Sequence, residues 1–280
     1  MSDIEHAKRL VDESSRIVVL TGAGISTDSG IPDFRGPEGL WTKNPGAEEA
    51  SDISVFLTDE NARRGFWGMM RMMHQAAIKP NEGHHALVRL EERGKLLLLV
   101  TQNVDGLHQA AGSSPDAVVE VHGNTQESCC LSCSERRPIE EALEEELPCC
   151  QSCGGLLKAN VVLFGEALPP MAMPLAMEAA HGCDLMLCVG STLSVYPVAS
   201  IVPEAKESGA KLLILNKGPT EYDELADVRL EGRAVDGQSR RSAFSGCEQC
   251  EQFEQQHQQF GQCDELQDEL FILKHFQLLG

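Results

Sequence analysis

Short apolar runs of strand length recur along the chain: Arg16–Thr21, Leu96–Thr101, Val118–Val121, Val161–Phe164, Leu185–Val189 and Leu212–Asn216. They are near-continuous in Val, Leu and Ile rather than alternating, the pattern of strands buried on both faces of a parallel sheet. Between several of them, Asn81–Arg93, Pro170–His181 and Val198–Ser208 carry apolar residues at helical spacing. Strand–helix alternation predicts an α/β fold, a Rossmann-like parallel sheet with helices on both faces. Two segments break the alternation. Asp59–Ile78 is a long helical pattern with no partner strand, and Cys129–Gly155 is cysteine-rich around a polar, acidic helix at Glu140–Glu146. Both read as insertions that form a small zinc-ribbon and helical lobe. The expected large lobe is then about 1–38, 81–128 and 156–236, and the small lobe about 39–80 and 129–155. After Asp236 the composition turns Gln-, Glu- and Cys-rich, so 237–280 is expected to be a divergent, disordered tail, with helical spacing regained at Asp264–Leu279.

Charge and cysteine content narrow the function classes. The chain has 280 residues and a formal charge of −20, from 43 acidic and 23 basic residues. Such a balance repels phosphate backbones and argues against direct nucleic-acid binding, while it suits a basic partner. The first residues, Met1-Ser2-Asp3-Ile4-Glu5, have neither a basic nor an apolar leader region, and the longest apolar run, Leu96–Val100, is far too short for a bilayer. A soluble, cytoplasmic protein without membrane partners is the expectation. In a reducing compartment the 11 cysteines read as metal ligands or buried thiols.

Five pieces carry candidate chemistry. Gly22-Ala23-Gly24-Ile25-Ser26 follows a strand and is expected to open a helix, where backbone N–H groups and the helix dipole favour a pyrophosphate. Thr27 stands where the usual third glycine would be, so an ordinary tight turn is the competing reading. Gly30-Ile31-Pro32-Asp33-Phe34-Arg35-Gly36 has the content of a loop that closes over a ligand, or of a surface loop with an Asp33–Arg35 pair. Gln102-Asn103-Val104-Asp105 places polar side chains at the carboxyl end of a strand, where ligands bind in this fold class. His122 follows the run Val118–Val121, whereas His84, His85 and His108 read as structural. Cys130-x-x-Cys133 and Cys150-x-x-Cys153, with sixteen residues between, fit a four-thiolate structural Zn(2+) site with no position left for water. Cys129 and Cys149 adjoin those ligands, so the register could slip by one.

In this order the motifs resemble the sirtuins, the NAD-dependent protein-lysine deacylases, from about Ile4 to about Ala234. The resemblance implies NAD as cofactor and acylated lysine on protein substrates as partner. It implies cofactor contacts from Gly22, Ala23, Gly24, Ser26, Asp33, Phe34, Arg35, Gln102, Asn103, Asp105, Gly190, Ser191, Thr192, Asn216 and Ala234. Phe34 would screen the glycosidic bond, Asn103 and Asp105 would line the nicotinamide pocket, and His122 would be the general base that activates ribose hydroxyls. Val162, Phe164, Gly165, Glu166 and Val195 would bound a cleft in which the peptide lies as a strand. Met70 and Met73 fall where members that remove acidic acyl groups carry Tyr and Arg, which implies a neutral acyl pocket; helix core is the competing reading. The products implied are deacylated lysine, nicotinamide and acyl-ADP-ribose. Mono-ADP-ribosyl transfer and a non-catalytic NAD or ADP-ribose sensor are the alternatives. The segment Gln238–Gly280 matches nothing in the family, and Cys247, Cys250, His257 and Cys263 within it form a candidate second metal set.

Overall fold

The computed structural model describes residues 2–36, 39–44, 46–76 and 78–231. Ala234 and the whole Gln- and Cys-rich segment lie outside the described residues. The strands are β1 Ile17–Thr21, β2 Leu96–Thr101, β3 Val118–Glu120, β4 Gly123–Cys130, β5 Arg136–Pro138, β6 Leu157–Val161, β7 Leu185–Val189, β8 Lys211–Asn216 and β9 Val228–Glu231. The α-helices are α1 Asp3–Glu13, α2 Leu40–Lys43, α3 Gly46–Glu49, α4 Ile53–Thr58, α5 Glu60–Gln75, α6 Glu82–Glu92, α7 Leu107–Ala111, α8 Ile139–Leu143, α9 Ala172–Gly182 and α10 Ile201–Glu207.

Six strands form one sheet in the order β3-β2-β1-β7-β8-β9, parallel at every pairing. Every residue of β1 and β7 is buried, which is why both read as unbroken apolar runs. The strand pleat sends alternate side chains to opposite cores. Ile17 and Val19 join Ala7, Leu10, Val11, Ala86, Leu87 and Leu90, from α1 and α6, on one face. Val18 and Leu20 join Ala176, Ala180, Ile201, Val202 and Ala205, from α9 and α10, on the other. Each fully buried Leu among them contributes about 1.5–3 kcal/mol. The Asn81 side chain caps α6, accepting from the Gly83 N–H at 2.9 Å, so this helix starts where its pattern starts. Successive strands build outward from β1 to β3 and from β7 to β9, so the order reverses between β1 and β7. That reversal opens a crevice at their carboxyl ends.

The remaining three strands form an antiparallel sheet, β5-β4-β6, covered by α4, α5 and α8. Its core contains Phe56, Phe66, Trp67, Met70, Cys130, Ile139, Cys150, Val161 and Leu163. Phe66 meets Phe56 and Trp67 edge-on, with ring centroids 5.2 and 5.6 Å apart. Asp59 caps α5 by accepting from the Asn61 N–H at 2.8 Å.

Three expectations need correction. No α-helix follows β1; the chain makes two single 3-10 turns, Ala23–Ile25 and Thr27–Ser29, so a helix dipole does not act there. The run Val161–Phe164 is no strand of the parallel sheet: the strand is Leu157–Val161, and it pairs antiparallel with β4. At Gly123, with φ of +74°, a Cβ would run into the Asn160 carbonyl, so only glycine lets β4 start beside β6. The helix forecast at Val198–Ser208 begins as a 3-10 turn and becomes α-helical only at Ile201. Among the described residues no helix is long and apolar enough to cross a membrane.

Candidate functional site

The floor of the crevice is backbone against backbone. Gly22 N–H donates to Val189 O at 3.0 Å and Gly24 N–H to Gly190 O at 2.8 Å. A Cβ on Gly24 would lie 2.7 Å from Gly190 Cα, and one on Gly22 would lie 2.8 Å from Gly190 O. Gly190 itself has φ of +63°. The two turns therefore touch only because all three residues are glycine. Gln102 spans from β2 to β7, donating Nε2–H to Ser191 Oγ at 2.9 Å. Thr192 is exposed, with its hydroxyl 2.7 Å from Ser194 Oγ, and Asn216 donates to Gly218 O at 2.9 Å. Hydroxyl and amide groups thus collect at the ends of β2, β7 and β8, a donor set that fits ribose and phosphate oxygens.

One wall gathers Ser26, Asn103 and Asp105. Ser26 Oγ donates to Asp105 Oδ2 at 2.7 Å, and Leu107 N–H donates to Asp105 Oδ1 at 3.0 Å. Asn103 is buried and donates Nδ2–H to Gly22 O at 3.1 Å and to Ser26 Oγ at 3.2 Å. Burial raises the Asp105 carboxyl above its ordinary range, against the lowering pull of the Leu107 and Ser26 bonds. Behind this wall lies a polar network that the sequence did not single out. Thr21 donates to Thr101 Oγ1 at 2.8 Å, Asn103 N–H donates to the same oxygen at 3.1 Å, and His108 Nε2 lies 3.0 Å from Thr21 Oγ1. The rings of His84 and His108 are 5.0 Å apart, and His84 Nδ1 faces Asn81 Oδ1 at 3.1 Å. Burial first, and a neighbouring imidazole second, push His84 down to about 4 and His108 to about 3. His84 reads as structural beside His85; the faint signal of its placement is the Asn81-x-x-His84 capping spacing.

His122 stands just past β3. Its Nδ1 is 3.0 Å from Gln102 O. A carbonyl oxygen only accepts, so Nδ1 carries the proton and the lone pair sits on Nε2. Burial lowers the imidazole below its ordinary value, partly opposed by the Gln102 bond, which keeps the ring neutral near pH 7. The backbone of His122 continues the site: Val162 N–H donates to His122 O at 2.8 Å.

Val162 opens the segment that ends at Glu166. Phe164 is exposed, but its N–H and carbonyl are taken by Ser51 O at 2.9 Å and Ile53 N–H at 3.0 Å. The Glu166 carboxylate accepts from Leu163 N–H at 2.8 Å and pairs with buried Lys158 at 3.0 Å, so it braces this segment from within. Gly165 has φ of +83°, and Val195 accepts from Ala199 N–H at 3.0 Å. Asp33 Oδ1 accepts from Gly36 N–H at 2.8 Å, Phe34 is exposed, and Arg35 pairs with Glu48 at 3.0 Å rather than with Asp33. Met70 is buried in the core of the antiparallel lobe and Met73 packs against it. The cations of α5 point elsewhere: Arg63 donates to Phe56 O, Arg64 pairs with Glu60 and Glu146, and Arg71 donates to Glu145 O.

In the second lobe Cys130, Cys133, Cys150 and Cys153 bring four sulfurs within 4.8 Å of one another. Cys130–Cys153 and Cys133–Cys150 sulfur separations are 3.5 and 3.7 Å. A tetrahedral zinc with bonds of about 2.3 Å sets sulfurs ~3.8 Å apart, so the donor set fits that ion. Backbone N–H groups of Cys133 and Ser132 aim at Cys130 and pull its thiol down to about 6. Cys129 and Cys149 turn away, each toward a backbone carbonyl, so the register that converges is the Cys-x-x-Cys one.

A parallel sheet that reverses its order over a glycine-floored crevice, joined to a four-thiolate ribbon, defines a dinucleotide-site α/β protein with a metal-stapled lobe. The Sir2 family model matches residues 22–197. An NAD-dependent protein deacetylase of Thermodesulfovibrio yellowstonii is 44% identical, over 80% of this chain and 88% of that protein. The NAD-dependent protein deacylase 2 of Archaeoglobus fulgidus is 42% identical, over 83% and 92%. A Sir2 structure with p53 peptide and NAD+ superposes with a TM-score of 0.73 at 37% identity, covering 83% of this chain and 93% of that one. The chain belongs to the Sir2 family.

Two outcomes follow from this geometry. Replacing Cys130, Cys133, Cys150 or Cys153 with Ser is expected to release zinc and unfold the small lobe, with activity lost through instability. Metal analysis and proteolysis of each variant check this; folded, active protein with no zinc would end the idea. The second outcome concerns acid. His84 and His108 bind protons only well below the ordinary 6.5 when folded, whereas the unfolded chain binds them at 6.5. Stability is therefore complete above about pH 6.5 and declines as pH falls toward 4, by up to about 1.4 kcal/mol per pH unit for each imidazole. Denaturant titrations between pH 7 and 5 are expected to show a shallower decline in His108→Gln than in wild type.

Proposed function

We propose that this chain is an NAD-dependent protein-lysine deacylase that cleaves NAD to nicotinamide and transfers the acyl group to ADP-ribose. The observation that carries the reading is His122: an imidazole held toward its neutral form by burial, with Nδ1–H tied to Gln102 O and the lone pair therefore on Nε2. NAD, consumed as co-substrate, supplies an electrophilic ribose carbon and a leaving group. The residues Gly22, Gly24, Gln102, Ser191, Thr192 and Asn216 hold it along the crevice, and Ala23, Asp33, Phe34 and Arg35 cover it. Asn103, Asp105 and Ser26 shape the closed end, where Ser26 and Asn103 are already fixed by mutual hydrogen bonds. His122 Nε2 accepts the proton released when a ribose hydroxyl becomes a nucleophile. Val162 and the Gly165 and Val195 segments border the acyl-peptide. Zinc on the four thiolates is structural, since four cysteines leave no coordination site for water. Net charge of −20 suits lysine-rich substrate proteins and disfavours nucleic acid. A cytoplasmic setting fits the reduced thiols.

His122→Ala is expected to lower acyl-peptide turnover by roughly a hundred- to ten-thousand-fold while NAD affinity stays within about threefold. Deacylated peptide, nicotinamide and acyl-ADP-ribose are measured together. Folded, zinc-loaded wild type that forms none of the three overturns the enzyme reading. Nicotinamide release with ADP-ribose left on protein would favour the transferase instead. Because burial lowers His122, the acid limb of wild-type kcat/KM should have its midpoint below the ordinary 6.5.

The acyl group is expected to be neutral. Met70 and Met73 bring no charge, and the arginines of α5 are engaged away from the crevice. A buried, unpaired succinyl carboxylate costs several kcal/mol, so kcat/KM for succinyl-lysine should fall at least about a hundredfold below that for acetyl-lysine. A Sir2 structure 36% identical to this chain, with a TM-score of 0.72, is bound to a propionylated peptide, whose acyl group is neutral. Matched peptides decide it; a succinyl preference means a cation reaches the pocket.

A further inference from the structure

Trp41 lies between two exposed phenylalanines that belong to different walls of the crevice. Its ring centroid is 4.7 Å from Phe34 and 5.6 Å from Phe164. The Arg35 guanidinium sits 4.7 Å over the same ring and pairs at its far end with Glu48. The described residues 39–44 and 46–53 act as a strap pinned at both ends. At one end Leu40 N–H donates to Asp33 O at 2.8 Å and Trp41 N–H to Phe34 O at 2.9 Å. At the other end Phe164 N–H donates to Ser51 O at 2.9 Å and Ile53 N–H to Phe164 O at 3.0 Å. A shift of Phe164 therefore reaches Phe34 through the packed rings, since Trp41 touches both. The indole Nε1 is shielded from water and meets no acceptor among the described residues.

We infer that Trp41 is a positioning residue that couples the two halves of the site: seating of the acyl-peptide at Phe164 sets, through the indole, the placement of Phe34 over the dinucleotide. This rests on the deacylase reading above. Coupling between two sites is reciprocal, so peptide should tighten the dinucleotide and the dinucleotide should tighten peptide by one common factor. The ring, not the N–H, carries the effect, because both contacts are tilted packings of aromatic rings, at 40° and 49°.

The test uses the full chain, an acetyl-lysine peptide and carba-NAD, a non-cleavable NAD analogue, in calorimetric titrations of each ligand with and without the other. Wild type is expected to show mutual tightening on the order of five- to a hundredfold. Trp41→Leu should bind each ligand alone within about threefold of wild type but reduce the mutual factor to below about twofold. Trp41→Phe should restore most of it. A second reading comes from fluorescence, since Trp41 and Trp67 are the only tryptophans of the sequence. Peptide alone should alter the emission of wild type, and Trp41→Phe should abolish the change. A mutual factor retained in Trp41→Leu overturns the inference and leaves the deacylase reading intact. So does wild type that binds both ligands independently. Wild type that binds neither ligand overturns both.

Discussion

The approach of Gly24 to Gly190 is the contact on which the crevice depends. β1 and β7 are neighbours, about 4.8 Å apart, and the chain leaves them in opposite directions because the strand order reverses there. Their following turns must pass close together before they separate, and a single Cβ would force them apart. Close passage aims the Gly22 carbonyl at the Asn103 side chain and brings Ser191 within reach of Gln102. Three strands thereby contribute to one rigid edge, with backbone rather than flexible side chains setting the spacing. The 3-10 turns after β1 stand where an α-helix start was expected, and they bring the buried Ser26 hydroxyl to Asp105.

Burial then assigns different work to similar side chains. His84, His108 and His122 are all held neutral by desolvation. His84 on α6 and His108 on α7 are buried beside the strand ends, next to Asn81 and Thr21 respectively. His108 Nδ1 is buried with no hydrogen-bond partner among the described residues. His122 differs in that its Nδ1 lies against a backbone carbonyl, that of Gln102, which leaves the lone pair on Nε2. The distinction lies in which partner each ring nitrogen has. A low-dielectric surround strengthens each of these hydrogen bonds and makes every missing one expensive, so the network holds Asn103 and Asp105 in one geometry.

Much of the parallel sheet was legible because burial on both faces writes itself as a run of apolar residues: β2 and β7 have the bounds that their sequence predicts. The antiparallel lobe was legible through its thiols and the helical pattern at Asp59–Ile78, but not through its strands. β4 reads Gly-Asn-Thr-Gln-Glu-Ser-Cys-Cys, with no alternation to mark a strand, because a Cys-x-x-Cys turn and α5 supply the order that its own side chains do not. β9 went unseen for a related reason, since an edge strand of four residues with two buried leaves almost no pattern. His84 and His85 are adjacent and identical as letters; the face of α6 on which each falls decides that one is buried completely. Residues that could be named in advance were those following an apolar strand, where topology alone predicts a ligand. Trp41 and the two threonines could not be named, because their meaning comes from contacts between distant segments.

The small lobe is not an appendage to the crevice but one of its walls. The chain leaves the parallel sheet at His122-Gly123, where β4 begins, and returns at Val161-Val162, where β6 ends. At that crossing Val162 N–H bonds the His122 carbonyl. The candidate base and the candidate peptide-binding segment are thus adjacent at the root of the lobe. Lys158 and Glu166 fix the same root from beneath, a buried ion pair whose remaining donors go to the Ala159 and Val161 carbonyls. Loss of the metal would act on chemistry without the ion touching a substrate. Melting of β4 and β6 would release Val162 and Phe164 and the contact of Phe164 with Trp41, while the Gly24–Gly190 floor, built at the ends of the parallel strands, would keep its form. The crevice floor and the segment that borders it from the small lobe are therefore separable parts of this fold, and the elements that join them are the crossing at His122 and the ring contacts from Phe34 through Trp41 to Phe164.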